Sequence, residues 1–114
     1  MCGRFALFME AGAFLDIFGC PPPDGLEPRY NIVPDRDIVV VRAGKDGREA
    51  ARLRWGLLPP WAEDPADRGR QINARSETVF EKPTFKSAVL RHRCLIPASG
   101  FFEWQKGGGQ SRPF

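Results

Sequence analysis

The sequence predicts an α+β fold with mostly antiparallel strands, and three observations carry that prediction. Two short stretches show helical apolar spacing, several others read as β-type runs, and the links between those runs are too short for parallel crossovers. The chain has 114 residues, 42% of them hydrophobic, which is enough for one domain with a modest core. No internal repeat or low-complexity tract interrupts it.

Taken in order, residues 2–8 alternate loosely and read as a short strand. From Glu10 to Phe18, the residues Ala13, Phe14, Ile17 and Phe18 fall on one helical face, and Gly19 with Pro21, Pro22 and Pro23 stops the helix. Asp37 to Arg42 is a β-branched run and Gly44 to Gly47 a turn. Ala51 to Leu57 then sets Leu53 and Trp55 opposite Arg52 and Arg54, so a β-hairpin is expected. Pro59, Pro60 and Trp61 open a polar loop through Arg70, long enough to be a functional segment. Residues 74–80 are expected to form a short helix and Pro83 to Leu90 a second, with Thr84 as its N-cap and Phe85, Ala88 and Val89 apolar at helical spacing. Strands from Arg93 to Pro97 and from Gly100 to Gln105 follow. Gly107 to Phe114 reads as a hairpin turn toward a strand that the chain does not reach, so the chain is expected to be a fragment.

Seventeen basic against fourteen acidic residues give a net charge of +3, which permits nucleic-acid binding without requiring it. The cations cluster as Arg42, Lys45, Arg48, Arg52 and Arg54, then Arg68, Arg70, Arg75, Arg91 and Arg93. Solvated strand and loop faces explain both groups equally well. Three cysteines, Cys2, Cys20 and Cys94, stand at irregular spacing with only His92 as a possible co-ligand. That pattern argues against a zinc site and against a disulfide framework. No leader and no apolar run of membrane-spanning length is evident, so a reducing, cytoplasmic setting is expected. His92 reads as a surface residue at a helix end.

Cys2 directly follows the initiator methionine. Aminopeptidases remove Met1 when the next side chain is small, leaving a terminal cysteine whose thiol and α-amine are both reactive near neutral pH. Such a 1,2-aminothiol condenses with an aldehyde to an imine, and the sulfur then closes a thiazolidine ring. A small buried cysteine is the plainer alternative.

Further along, Asn73, Arg75 and Glu77 place an amide, a guanidinium and a carboxylate within two helical turns. They suit a phosphate and a sugar, or else a capped helix start with an exposed ion pair. Glu103 is a carboxylate inside an aromatic strand. Facing inward, its charged form would be disfavoured and it would suit proton transfer; facing outward, it is an ordinary edge charge. Arg4 is close enough to the terminus to hold a phosphate beside it, and a structural ion pair explains it equally well. Trp55, Trp61 and Trp104 are expected in the core rather than as base-stacking platforms.

Five segments occur in a recognisable order: Met1 to Phe5, Tyr30 to Pro34, Arg54 to Trp61, Asn73 to Thr78, and Cys94 to Trp104. Together they resemble the motifs of the SOS response-associated peptidase (SRAP) family. The resemblance implies that the chain is the N-terminal portion of a single SRAP domain, part of a β-barrel-like sheet with short flanking helices. It implies a protein that recognises abasic sites in single-stranded DNA and captures them covalently, shielding the lesion.

Carried over by position, Cys2 is the crosslinking nucleophile, Asn73 an orienting residue beside it, Glu103 the proton-transfer carboxylate, and Arg4 and Arg75 phosphate ligands. No cofactor, metal or membrane is implied, and the whole protein is expected to be a nucleoid-associated monomer. The family's catalytic histidine belongs to its second half. Val33, Asp35, Arg36 and Phe102 depart from the family's usual residues. Two other readings stay open. One is an N-terminal-nucleophile amide hydrolase resembling the glutamine amidotransferases, which also open with Met-Cys-Gly; the other is a noncatalytic single-strand binding module.

Overall fold

The computed structural model describes residues 2–64, 66 and 70–105, with the backbone alone at 112–113. The turn expected at Gly107 and part of the loop expected between Pro59 and Arg70 lie outside them. The order of elements is β1 (Phe5–Leu7), α1 (Ala11–Phe18), β2 (Arg29–Ile32), β3 (Asp37–Gly44), β4 (Gly47–Arg54), α2 (Pro83–Arg91), β5 (Cys94–Leu95), β6 (Gly100–Phe101), β7 (Trp104–Gln105) and β8 (Arg112–Pro113). Two three-stranded sheets run β2-β1-β6 and β4-β3-β5, and β7 pairs with β8. Every pairing is antiparallel, as the short links require. None of these sheets closes into a barrel among the described residues.

The hairpin forms where the β-branched run and turn residues place it, with Gly44 opposite Gly47 and Asp37 opposite Arg54. Ile38, Val39, Val40 and Val41 are all buried. A continuous apolar run of this kind marks a strand covered on both faces, and β3 is indeed the central strand of its sheet. Phe5 and Leu7 from β1, Ile32 from β2 and Phe14 from α1 join it in one core with Cys20 and Trp55. The edge of Phe5 meets the ring of Trp55 at 5.2 Å and 66°, a geometry that adds about 0.5–1.5 kcal/mol to the burial of the two rings.

The helix α1 ends at Gly19, whose φ of 70° carries its N–H to the carbonyl of Leu15 at 2.8 Å. This left-handed cap is the one a glycine adopts without strain. Of the four residues expected on the buried face, Phe14 is fully buried and Phe18 half-buried, while Ile17 is 61% exposed and Ala13 is also exposed. One i, i+4 line is all that so short a helix sets against the sheets. The rings of Phe14 and Phe18 meet along that line at 4.7 Å, tilted by 49°.

Several local expectations are corrected. Residues 74–80 form successive turns, with the Thr78 N–H on the Arg75 carbonyl and the Lys82 N–H on the Thr78 carbonyl, rather than a helix. The N-cap of α2 is Lys82, and Pro83 occupies the first turn, where its missing N–H costs nothing. Thr84 is therefore inside the helix, while Phe85, Ala88 and Val89 are half-buried together. The Gly100 to Gln105 strand is split at Phe102 and Glu103, because β6 pairs with β1 and β7 with β8. The strand after Gly107 is present as β8. Trp55 is a core residue, but Trp61 and Trp104 are exposed, as is Leu53. No helix among the described residues is long and apolar enough to cross a membrane.

Candidate functional site

Cys2 is half-buried against the core and opens into a pocket of about 310 Å³. Phe5 and Trp55 supply core rings to that pocket, Ile72, Ile96, Ala98 and Phe101 supply further apolar wall, and Asn73 supplies its amide. Each element delivers its residue for a local reason. Phe5 lies on the central strand of its sheet and Trp55 directly follows β4. Asn73 arrives through the pairing of Leu57 with Gln71, whose two backbone hydrogen bonds measure 2.8 and 2.9 Å. The thiol of Cys2 donates to the Arg4 carbonyl at 3.7 Å, a weak contact that leaves the sulfur free to react.

Arg4 is tied at both ends. The N–H of Phe102 donates to its carbonyl at 2.9 Å, and its Nη1 donates to Oδ1 of Asn31 at 2.7 Å. Among the described residues no carboxylate pairs with it, so the structural ion pair is set aside in favour of a neutral partner. Arg75 is exposed on the run of turns, where it too pairs with no carboxylate among the described residues.

Glu103 is half-buried in the link between β6 and β7 and is not among the residues lining the pocket. The structure therefore joins Cys2 and Asn73 in one pocket, with Arg4 two residues after Cys2. It places Glu103 two residues beyond the wall residue Phe101 and leaves Arg75 on the outer surface.

An ion-paired group lies where the turn before β3 meets the end of β4. Arg54 Nε donates to Asp35 Oδ1 at 2.6 Å, and Arg70 Nε lies 3.7 Å from the same oxygen. The hydrogen bond from Arg54 lowers the pKa of the Asp35 carboxyl, with desolvation opposing it and the nearby charges of Arg54, Arg70 and Arg36 adding to it.

A larger cavity, about 470 Å³, surrounds Cys94 with Arg42, Arg48 and Arg93. It is the weaker candidate. Arg42 is paired with Glu49 at 2.7 Å and Arg48 donates to the Phe18 carbonyl at 3.1 Å. Burial pushes the Cys94 thiol up, with Arg42 pulling the other way, so the unreactive thiol form is favoured there.

Two parts of the site escaped the residue-by-residue reading. The apolar walls Ile72, Ile96 and Ala98 carry no chemical signature in sequence. Asn31 does lie inside the Tyr30 to Pro34 segment, but β2 itself has too few apolar residues to be read as a strand.

The structure thus combines an antiparallel α+β fold with an apolar pocket that both Cys2 and Asn73 line. The whole chain, residues 1–114, matches the family described as SOS response associated peptidase (SRAP). It is 40% identical over 109 residues to the abasic site processing protein YoqW of Bacillus subtilis (strain 168), covering 93% of this chain and 49% of that protein. To the abasic site processing protein YoaM of the same organism it is 38% identical, covering 93% and 48%. A crystal structure of a Bordetella bronchiseptica protein superposes with a TM-score of 0.79 at 28% identity, over 98% of this chain and 55% of that one. The chain belongs to the SRAP family. It spans about half the length of the curated relatives it matches.

Proposed function

We propose that this chain is the N-terminal portion of a single SRAP domain that recognises abasic sites in single-stranded DNA and captures them covalently through Cys2 once Met1 is removed. The observation that carries the reading is the convergence of Cys2 and Asn73 on one apolar pocket, next to an arginine that no carboxylate neutralises among the described residues. The relatives' names, abasic site processing proteins, support the abasic site as the lesion.

The ring-opened abasic sugar exposes an aldehyde at C1′. The neutral α-amine of Cys2 adds to that carbon, and the carbinolamine loses one water to give an imine. The thiolate then adds to the same carbon while the nitrogen takes up a proton, closing the thiazolidine. One water leaves overall and no oxidant or reductant is needed. Asn73 orients the sugar through its amide, and Glu103 moves the protons of ring opening and dehydration, a role that contributes about 10²–10⁴-fold in rate. Apolar walls slow hydrolysis of the imine by keeping water away from it. Arg4 and Arg75 take the flanking phosphates, so affinity falls steeply with salt.

The test is incubation with a single-stranded oligonucleotide carrying one abasic site, followed by denaturing electrophoresis and by intact mass of the free protein. We expect a mass lacking Met1, a shifted band with the wild type, and no shifted band with Cys2→Ala although noncovalent binding persists. Crosslinking that survives in Cys2→Ala overturns the assignment. Salt-sensitive binding without a covalent species would favour a noncatalytic module, and ammonia release from glutamine an amide hydrolase.

A further inference from the structure

The pairing of β1 with β2 is irregular at one place. Phe5 stands opposite Ile32 and Leu7 opposite Arg29, with the register shifting between them. Two residues, Tyr30 and Asn31, therefore face Ala6 alone. An extra residue of this kind bends its strand and re-aims a side chain, and it recurs beside functional sites. Here it leaves Asn31 exposed, with its Oδ1 2.7 Å from Arg4 Nη1. A guanidinium only donates, so the amide must present its oxygen to it.

We propose that Asn31 is a positioning residue that sets the Arg4 guanidinium for a DNA phosphate while leaving its charge intact. The inference rests on the reading of Arg4 as a phosphate ligand. The main chain of Arg4 is already fixed by the N–H of Phe102, and Asn31 fixes the far end, so a long side chain that would otherwise sample many rotamers is held in one. The choice of an amide is informative. An aspartate could accept the same hydrogen bond but would neutralise the cation and compete with the phosphate. A residue present only for stability would be better as aspartate; one that prepares a cation for an anionic ligand is better neutral. One N–H of the guanidinium goes to Asn31, and no other side-chain bond of Arg4 occurs among the described residues, which leaves the rest of the fork for a phosphate's oxygens.

The experiment measures binding of a fluorescent single-stranded oligonucleotide across a salt series for the wild type, Arg4→Ala, Asn31→Ala, Asn31→Asp and the Arg4→Ala/Asn31→Ala double variant, with melting temperatures as fold controls. We expect Asn31→Ala to weaken binding roughly three- to tenfold and Asn31→Asp to weaken it at least as much without lowering the melting temperature. In the Arg4→Ala background the Asn31→Ala change should cost nothing further. Wild-type affinity in Asn31→Asp, or a loss that adds to that of Arg4→Ala, overturns the role of Asn31 alone. If Arg4→Ala changes neither affinity nor salt slope, the phosphate reading of Arg4 fails, and this inference with it.

Discussion

Arg54 Nε donates to Asp35 Oδ1 at 2.6 Å, and that bond ties the turn before β3 to the end of β4. Two backbone bonds reinforce it: Asp35 N–H to the Trp55 carbonyl at 3.0 Å, and Trp55 N–H to the Arg36 carbonyl at 2.9 Å. Trp55 is thereby fixed where its ring lines the Cys2 pocket. Asp35 holds a left-handed backbone, φ 64°, which aspartate tolerates better than most side chains.

Acid should loosen this clamp only below the pH at which ordinary carboxylates take up their protons. The hydrogen bond from Arg54 lowers the folded-state pKa of Asp35, so its contribution is fully present above the unfolded value near ~3.9 and is lost as pH falls through the lower folded one. Urea melts between neutral and strongly acid pH should therefore show a stability loss at low pH that shrinks in Asp35→Asn. Identical pH profiles in the two proteins would show that the pair, which is exposed to solvent, contributes nothing measurable.

Gly56 should resist substitution for two separate reasons. Its φ is 125°, a region side chains rarely adopt, and an added Cβ would stand 2.8 Å from Cβ of Arg70. Arg70 cannot simply swing away, because its Nη1 donates to the Gly56 carbonyl at 3.0 Å. Gly56→Ala is expected to cost about 1–3 kcal/mol, read from chemical denaturation. It should also lower crosslinking in the remaining folded protein, since Leu57 and Gln71 next to it deliver Asn73.

The fold was legible wherever burial and local pattern agree. Ile38 to Val41 announced a strand because it is covered on both sides, and Gly44 to Gly47 announced its turn. The pattern failed where partners are distant in sequence. Gly100 to Gln105 alternates like one strand, yet β1 captures its first two residues and β8 its last two, leaving Phe102 and Glu103 as a hinge between sheets. Ile17 looked like a core residue because helical spacing says which residues share a face, not how wide a face the sheets can cover. In the site, residue type singled out Cys2, Asn73 and Arg4 without deciding between structural and chemical roles, and only the resemblance to the family implied the latter. Asn31 was not legible, because a register shift in a two-strand pairing leaves no trace in composition.

Glu103 offers the sharpest separation of rate from outcome. A carboxylate that shuttles protons lowers the barriers of forward and reverse steps equally, so its loss changes how fast the thiazolidine forms and not how much forms at equilibrium. Glu103→Gln keeps the shape of the side chain and removes its capacity to take a proton. Quenched time courses with the abasic oligonucleotide should show crosslinking slowed by about 10²–10⁴-fold, with the wild-type yield reached at long times. A wild-type rate would make Glu103 a bystander in the link between β6 and β7, where it is half-buried but lines no part of the pocket. A lower final yield at an unchanged early rate would instead assign it to holding the finished adduct, because only a group that interacts differently with reactants and product can move the end point.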